Sequence, residues 1–378
     1  MSAAVLTVRL PGCPGAYRLT ADGAGRIAAI APCDDSPSGW LSPAGIDLQI
    51  NGGLGLAFPD LQPGDEPKLA AIGDWLWQQG VEGYLPTLVT ASLVDVRRSL
   101  AVLAAFQATD TAPQRSRILG VHLEGPCLAA PKRGAHPEQH LQPLTVPLLE
   151  QLIGPYAELV RIVTLAPELD PMEDAVPWLR QRGIVVSLGH SLATEAEARV
   201  AFACGATMVT HAFNAMPPLH HRETGLLGAA LTTPGVRCGV IADGEHIGCT
   251  MLTLLLRAGQ GCEHLFLVSD ALAPLGLPDG RYPWDERIMT VTNGTCRLED
   301  GTLSGTTRPL LDGSLNLANW GICDPETAIA LATIAPRQAM GWAAPTRPED
   351  YVSRSLGELL HWTWDGSRLA WTRAGQWA

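Results

Sequence analysis

The sequence predicts an α/β fold: a TIM-like (β/α)8 barrel carrying a small β-sandwich domain formed by both termini. Three observations carry that expectation. Strand-like apolar runs alternate with helical stretches through the middle of the chain, the pattern of parallel strands joined by crossover helices. Polar residues of catalytic type recur at the C-terminal ends of successive runs, where the active sites of barrels lie. Short β pieces punctuated by Gly, Pro and Asp stand at both ends of the chain, and neither set is complete alone.

Taken in order, Val5 to Leu10, Ala16 to Leu19 and Arg26 to Ile30 read as short strands. The tail answers them with Leu359 to Trp364, an Asp365-Gly366 turn, and Arg368 to Thr372. The terminal unit is therefore expected over 1–44 plus 345–378, and the barrel over 45–344. Within the barrel, Pro67 to Gln79 reads as a helix before Gly83-Tyr-Leu-Pro-Thr87 and Leu88-Val-Thr90. A helical Leu93 to Gln107 leads to the run Ile118 to Glu124. Helical Ala175 to Arg182, with Pro177 tolerable in its first turn, precedes Ile184 to His190, and Thr194 to Cys204 precedes the run ending at His211. A further run, Leu265 to Asp270, follows. No Gly-x-Gly-x-x-Gly opens a helix after a strand, which weakens a dinucleotide reading.

Composition narrows the function. Hydrophobic residues at 46% and charged residues at 17% over 378 residues fit a globular protein with a large core. A net charge of -12 argues against nucleic acid as a partner, since such proteins carry a basic face or stripe. It leaves an anionic small molecule possible, because a few local cations overcome a distant field. Nine scattered cysteines, never spaced Cys-x-x-Cys, are neither a disulfide framework nor a thiolate metal site. No run of 18 apolar residues exists and the first residues lack a secretory pattern, so no membrane is expected and the expected location is cytoplasmic.

Four strand-like runs end in groups that hold metals or move protons: Glu124, His190, His211 and Asp270. On parallel strands these converge. Three ligands, Glu124, His190 and His211, leave a fourth position for water, as in a catalytic zinc site. Asp270 suits a general base for that water, although Asp at such a place also serves as a helix N-cap. His122 shares a strand face with Glu124 and is the rival ligand or a supporting partner. His136 and His140 form His-x-x-x-His, but Pro137 intervenes, so His136 is read as a substrate contact. Asn214 and Arg222 suit an anionic substrate, His246 stands at another strand end, and His220 and His221 read as loop solvation.

Taken together, these runs resemble the N-acetylglucosamine-6-phosphate deacetylase family of the amidohydrolase superfamily. The matching segments are Gly45-Ile-Asp-Leu-Gln-Ile-Asn-Gly-Gly53, Leu85-Pro-Thr87, His122-Leu-Glu-Gly-Pro126 with Lys132 to His136, and Gly189-His-Ser191. Thr210-His-Ala-Phe-Asn-Ala-Met-Pro-Pro218 with Arg222-Glu223, Ile241-Ala-Asp-Gly244 with His246, and Ser269-Asp-Ala271 complete the set. The resemblance implies deacetylation of a sugar phosphate, with Glu124, His190 and His211 as metal ligands and Asp270 as acid/base. It implies His136 near the acetyl group or sugar, and Asn214, Ala215, Arg222 and His246 at the phosphate. It further implies a homodimer with a shared phosphate site. The chain departs from many amidohydrolases at Gln49-Ile-Asn51, where His-x-His would bind a second metal. Neutral amides are poor ligands for transition metals, so one divalent ion, Zn2+, is expected, and Gln49 and Asn51 mark a vestigial position. Smaller departures are Glu223-Thr-Gly225 and Leu303-Ser-Gly-Thr306. A galacto epimer of the sugar, a cyclic-amide hydrolase and a non-catalytic sugar-phosphate sensor are the competing readings.

Overall fold

Eight parallel strands line up in chain order: Gly45–Ile50, Val81–Val89, Val121–Glu124, Val160–Leu165, Val185–Leu188, Met208–Val209, Arg237–Val240 and Leu265–Leu267. The computed structural model describes residues 5–377; residues 1–4 and 378, which the terminal-unit expectation includes, lie outside the described residues. The barrel closes where the eighth strand meets the first. Ile50 and Ala271 form a parallel bridge, the Asp270 N–H donates to the Gln49 carbonyl at 2.9 Å, and the Asn51 N–H donates to the Ala271 carbonyl at 2.7 Å.

Helices cover the outside because their sequences are apolar on one face and capped. Leu93–Thr109 starts at Ser92, whose side chain accepts from the Asp95 N–H. It buries Val96, Leu100, Leu103 and Phe106, spaced at three and four residues, against the sheet. Glu195–Cys204 opens with a capping box of Thr194 and Glu197 and ends at Gly205, whose φ of 113° only glycine adopts without strain. Both helices fall within two residues of the sequence expectation.

The barrel interior is partly polar. His122 Nε2, Thr164 Oγ1, Thr210 Oγ1 and Ser187 Oγ form a buried chain with successive distances of 2.7, 2.7 and 2.6 Å. Each of these groups finds a partner, as buried polar groups must. The chain fills the layer beneath the mouth where the ligand-bearing loops begin.

Both termini do build one β unit. Its sheet runs Leu369–Arg373, Leu359–Trp364, Trp40–Pro43, Val5–Leu10, Cys13–Ala21, Ile27–Cys33. Residues from both halves, among them Val8, Leu19, Ile27, Leu41 and Leu359, share one core. Deep in the seam, Trp362 Nε1 donates to Ser42 Oγ at 2.9 Å.

One element escaped the sequence reading. Between the eighth barrel strand and its helix, Gly280–Trp284, Arg287–Thr292, Thr295–Leu298 and Leu303–Thr306 form a four-stranded antiparallel sheet. Its signal was present in Asn293-Gly294, which joins Thr292 to Thr295 with φ of 51° and 81°. The sheet sits over the mouth. Arg287 Nη2 donates to the Ala135 carbonyl at 2.7 Å, and Thr306 N–H donates to the Asp270 carbonyl at 3.1 Å.

Candidate active site

The C-terminal ends of the barrel strands carry the expected cluster. Glu124 is the last residue of its strand, and His190, His211 and Asp270 follow theirs within three residues. All four are buried. The last three have positive φ, of 48°, 26° and 47°. An L-residue pays of order 1 kcal/mol or more to sit there, and such strain persists where the surroundings fix it, typically at a functional site. The turn before His190 depends on Gly189: a Cβ there would lie 2.8 Å from Thr210 Cβ.

The donor atoms meet closely. Glu124 Oε1 lies 3.1 Å from His190 Nε2 and 3.2 Å from His211 Nε2, and the two nitrogens are 3.0 Å apart. His190 Nδ1 is 2.8 Å from the Lys132 carbonyl and must donate to it, which leaves a lone pair on Nε2. Adjacent ligands around a small tetrahedral cation with bonds near 2.1 Å are separated by roughly 3.4 Å. This donor set therefore fits a single divalent ion. Burial raises the Glu124 carboxyl's pKa, but the His190 and His211 rings beside it outweigh that and hold it well below the usual carboxylate range.

His122 is not free to join the ligands. Its Nε2 is engaged with Thr164 Oγ1 at 2.7 Å and its Nδ1 lies 3.2 Å from the Leu48 carbonyl. Burial lowers its pKa to about 4, so it is neutral. Both of its ring nitrogens are thus engaged away from the Glu124, His190 and His211 donor atoms.

Asp270 Oδ1 accepts from Gln49 Nε2 at 3.1 Å and from Asn51 Nδ2 at 2.8 Å. Burial, and then the Glu124 charge, push its pKa up to about 6. A bound cation would pull it back toward ionisation. His136 Nδ1 accepts from the Thr90 N–H at 3.2 Å, so the ring proton of the neutral form sits on Nε2. Burial, and then His190, lower the pKa of His136 to about 3, which makes it a neutral donor.

These side chains line a cavity of about 310 Å³ with Asn214, Ala215 and His246. His246 Nδ1 contacts Asp243 Oδ2 at 2.6 Å, which orients the ring. Arg222 is exposed and does not line this cavity; His220 and His221 are exposed on the same loop, and His140 lies on a short turn outside it. The structure therefore gathers every candidate except Arg222. It adds Lys132, Trp284, Leu303 and Ser304 to the wall. Trp284 was not singled out because the inserted sheet that carries it was not recognised, and Ser304 was noted only as part of Leu303-Ser-Gly-Thr306.

No family model matches the chain. It is 37% identical over 309 residues to N-acetylglucosamine-6-phosphate deacetylase of Homo sapiens, covering 80% of this chain and 74% of that protein. It is 34% identical over 321 residues to N-acetylgalactosamine-6-phosphate deacetylase of Escherichia coli O157:H7, covering 84% and 83%. Among solved structures, it superposes with a TM-score of 0.83 and 25% identity on N-acetyl-D-glucosamine-6-phosphate deacetylase of Mycobacterium smegmatis, covering 99% of each chain. That structure is of an aspartate-to-alanine variant in complex with N-acetyl-D-glucosamine-6-phosphate. With these relatives, and with a barrel mouth that brings Glu124, His190 and His211 together, the chain belongs to the N-acetylglucosamine-6-phosphate deacetylase family of amidohydrolases and is an enzyme.

Proposed function

We propose that this enzyme hydrolyses the acetamido group of N-acetyl-D-glucosamine 6-phosphate to acetate and D-glucosamine 6-phosphate, in amino-sugar catabolism or recycling. The observation that carries the proposal is the convergence of Glu124, His190 and His211 beside Asp270 at the floor of one cavity. One divalent metal per subunit, Zn2+, would be held by those three ligands, with Gln49 and Asn51 at a vestigial second position. When bound, the ion supplies a Lewis acid that acidifies water and polarises the amide carbonyl.

The chain's own groups do the rest. His136 Nε2–H donates to the acetyl oxygen and favours the negative charge that builds there. Asp270 takes a proton from the attacking water as the new C–O bond forms. It returns that proton to the amide nitrogen as the C–N bond breaks, since nitrogen leaves poorly as an anion. Asn214, the Ala215 backbone N–H and His246 hold the phosphate and fix the reacting amide over Asp270.

Arg222 has a place in this scheme only across a subunit boundary, in a homodimer with a shared phosphate site. Arg222→Ala is expected to lower kcat/KM on phosphorylated substrate by about 100-fold, with metal content unchanged. Mixing that variant with an inactive Asp270→Asn protein should then restore activity, because hybrid dimers contain one complete site. No recovery on mixing would place Arg222 outside the site.

A second sugar is favoured by one finding, the relative named for the galacto epimer. Acetate release from both epimers, with zinc and after chelation, decides between them. We expect metal-dependent release faster from the gluco sugar. The reverse ratio would replace the substrate and keep the chemistry. All nine cysteines are free, which supports a reducing, cytoplasmic setting. Among the described residues no helix is long and apolar enough to cross a membrane.

A further inference from the structure

Gln49 presents an arrangement that the deacetylation scheme above does not use. Its Nε2 lies 3.2 Å from Glu124 Oε1, 3.2 Å from Glu124 Oε2 and 3.1 Å from Asp270 Oδ1. One amide nitrogen therefore stands among three carboxylate oxygens belonging to two acids. Asn51 Nδ2 approaches the same Asp270 Oδ1 at 2.8 Å. All four side chains are buried, so the two carboxylates face each other with little solvent screening. The partners fix the orientation of the Gln49 amide: only its NH2 end can donate to carboxylate oxygens. Its two hydrogens suffice for one bond to each acid. Two neutral amide donors thus stand among the carboxylate oxygens of two buried acids, where a cation would otherwise be the favoured neighbour.

The consequence for Asp270 is asymmetric. Oδ1 already accepts from two amides, whereas Asp270 also lines the cavity. Oδ2 is thereby left as the oxygen that exchanges protons.

We propose that Gln49, assisted by Asn51, is a positioning residue: its NH2 group bridges Glu124 and Asp270 in place of a second cation and fixes Asp270 with Oδ2 toward the substrate. This inference rests on the reading of Asp270 as the acid/base. Gln49 would touch neither substrate nor reacting atoms. It would act by holding one carboxylate oxygen, so that proton transfer to and from the other follows one path.

The test uses the zinc-loaded enzyme. Gln49→Leu keeps a side chain of similar length and removes both donors. The expected result is a fall in kcat of about 30-fold, with KM within about threefold of the parent and one equivalent of metal retained. Gln49→His combined with Asn51→His should bind a second equivalent of added zinc, read by elemental analysis, because imidazoles then reach the gap the amides fill. Unchanged kcat in Gln49→Leu would overturn the proposal. Loss of metal in parallel with kcat would also overturn it, since Gln49 would then serve only the Glu124 ligand. If Gln49→Leu does not fold, Asn51→Leu removes one donor from Oδ1 and should lower kcat about tenfold at constant KM; no change there would be equally fatal. Failure of the underlying reading looks different: Asp270→Asn would then remain active, whatever Gln49→Leu does.

Discussion

Asp270→Asn should keep its metal and lose turnover by about 1,000-fold. The substitution preserves shape and replaces a proton acceptor with an amide that cannot shuttle a proton, and general acid–base groups contribute factors of roughly 100 to 10,000. It leaves untouched Glu124, His190 and His211, the three groups whose donor atoms converge. Metal content by elemental analysis should therefore match the parent, while acetate release from the sugar phosphate falls. An Asp270→Asn enzyme within tenfold of the parent would remove Asp270 from the chemistry and with it the proposed two-way proton transfer. The amide would still meet two amides, Gln49 and Asn51, so some local repacking is expected; retained substrate binding would show that it is minor.

Removing the metal should have the second large effect. Chelation is expected to abolish turnover and to lower Tm by a few degrees, both reversed by adding zinc. A ligand present at about 100 times its Kd stabilises the folded state by roughly 2.7 kcal/mol. His211→Ala should reproduce both effects without chelator and resist rescue. The physical reason lies in the spacing. Two imidazole nitrogens 3.0 Å apart and a carboxylate oxygen 3.1 to 3.2 Å from each need a cation or a proton between them. Protons and metal compete for those lone pairs, so zinc affinity should decline as pH falls. Full activity in metal-stripped protein would sink the assignment.

Much of the site was legible because its chemistry lies at strand ends. Glu124, His190 and His211 each close a short apolar run, and a parallel barrel turns that linear pattern into a cluster. The terminal unit was legible for a similar reason: both tails alternate and carry turn residues, although strands such as Cys13–Ala21 proved longer than their apolar cores. What was not legible depends on contacts between distant residues. The engagement of His122 with Thr164, which keeps it from the ligands, follows from strand register and not from spacing in the sequence. The position of Arg222 depends on a loop whose fold is set by neighbours. The inserted sheet was missed because Asn293-Gly294 was not weighed as a hairpin signal, and Trp284 was missed with it.

The sheet shared by the two ends of the chain bears on how the protein is made. Trp40–Pro43 pairs with Leu359–Trp364, and Ser42 and Trp362, joined by a hydrogen bond, are 320 residues apart. At a synthesis rate of about 5–20 residues per second, the earlier strand waits roughly 16 to 64 s for its partner. Throughout that interval the nascent chain presents an unpaired apolar edge, the kind of edge that recruits foreign strands. The barrel can begin to assemble on the ribosome, whereas this sheet is completed only after Leu359–Trp364 has emerged. Slow translation of the segment that carries Leu359–Trp364 and Leu369–Arg373, or its loss to a premature stop, would therefore leave a nearly complete barrel attached to an aggregation-prone remnant.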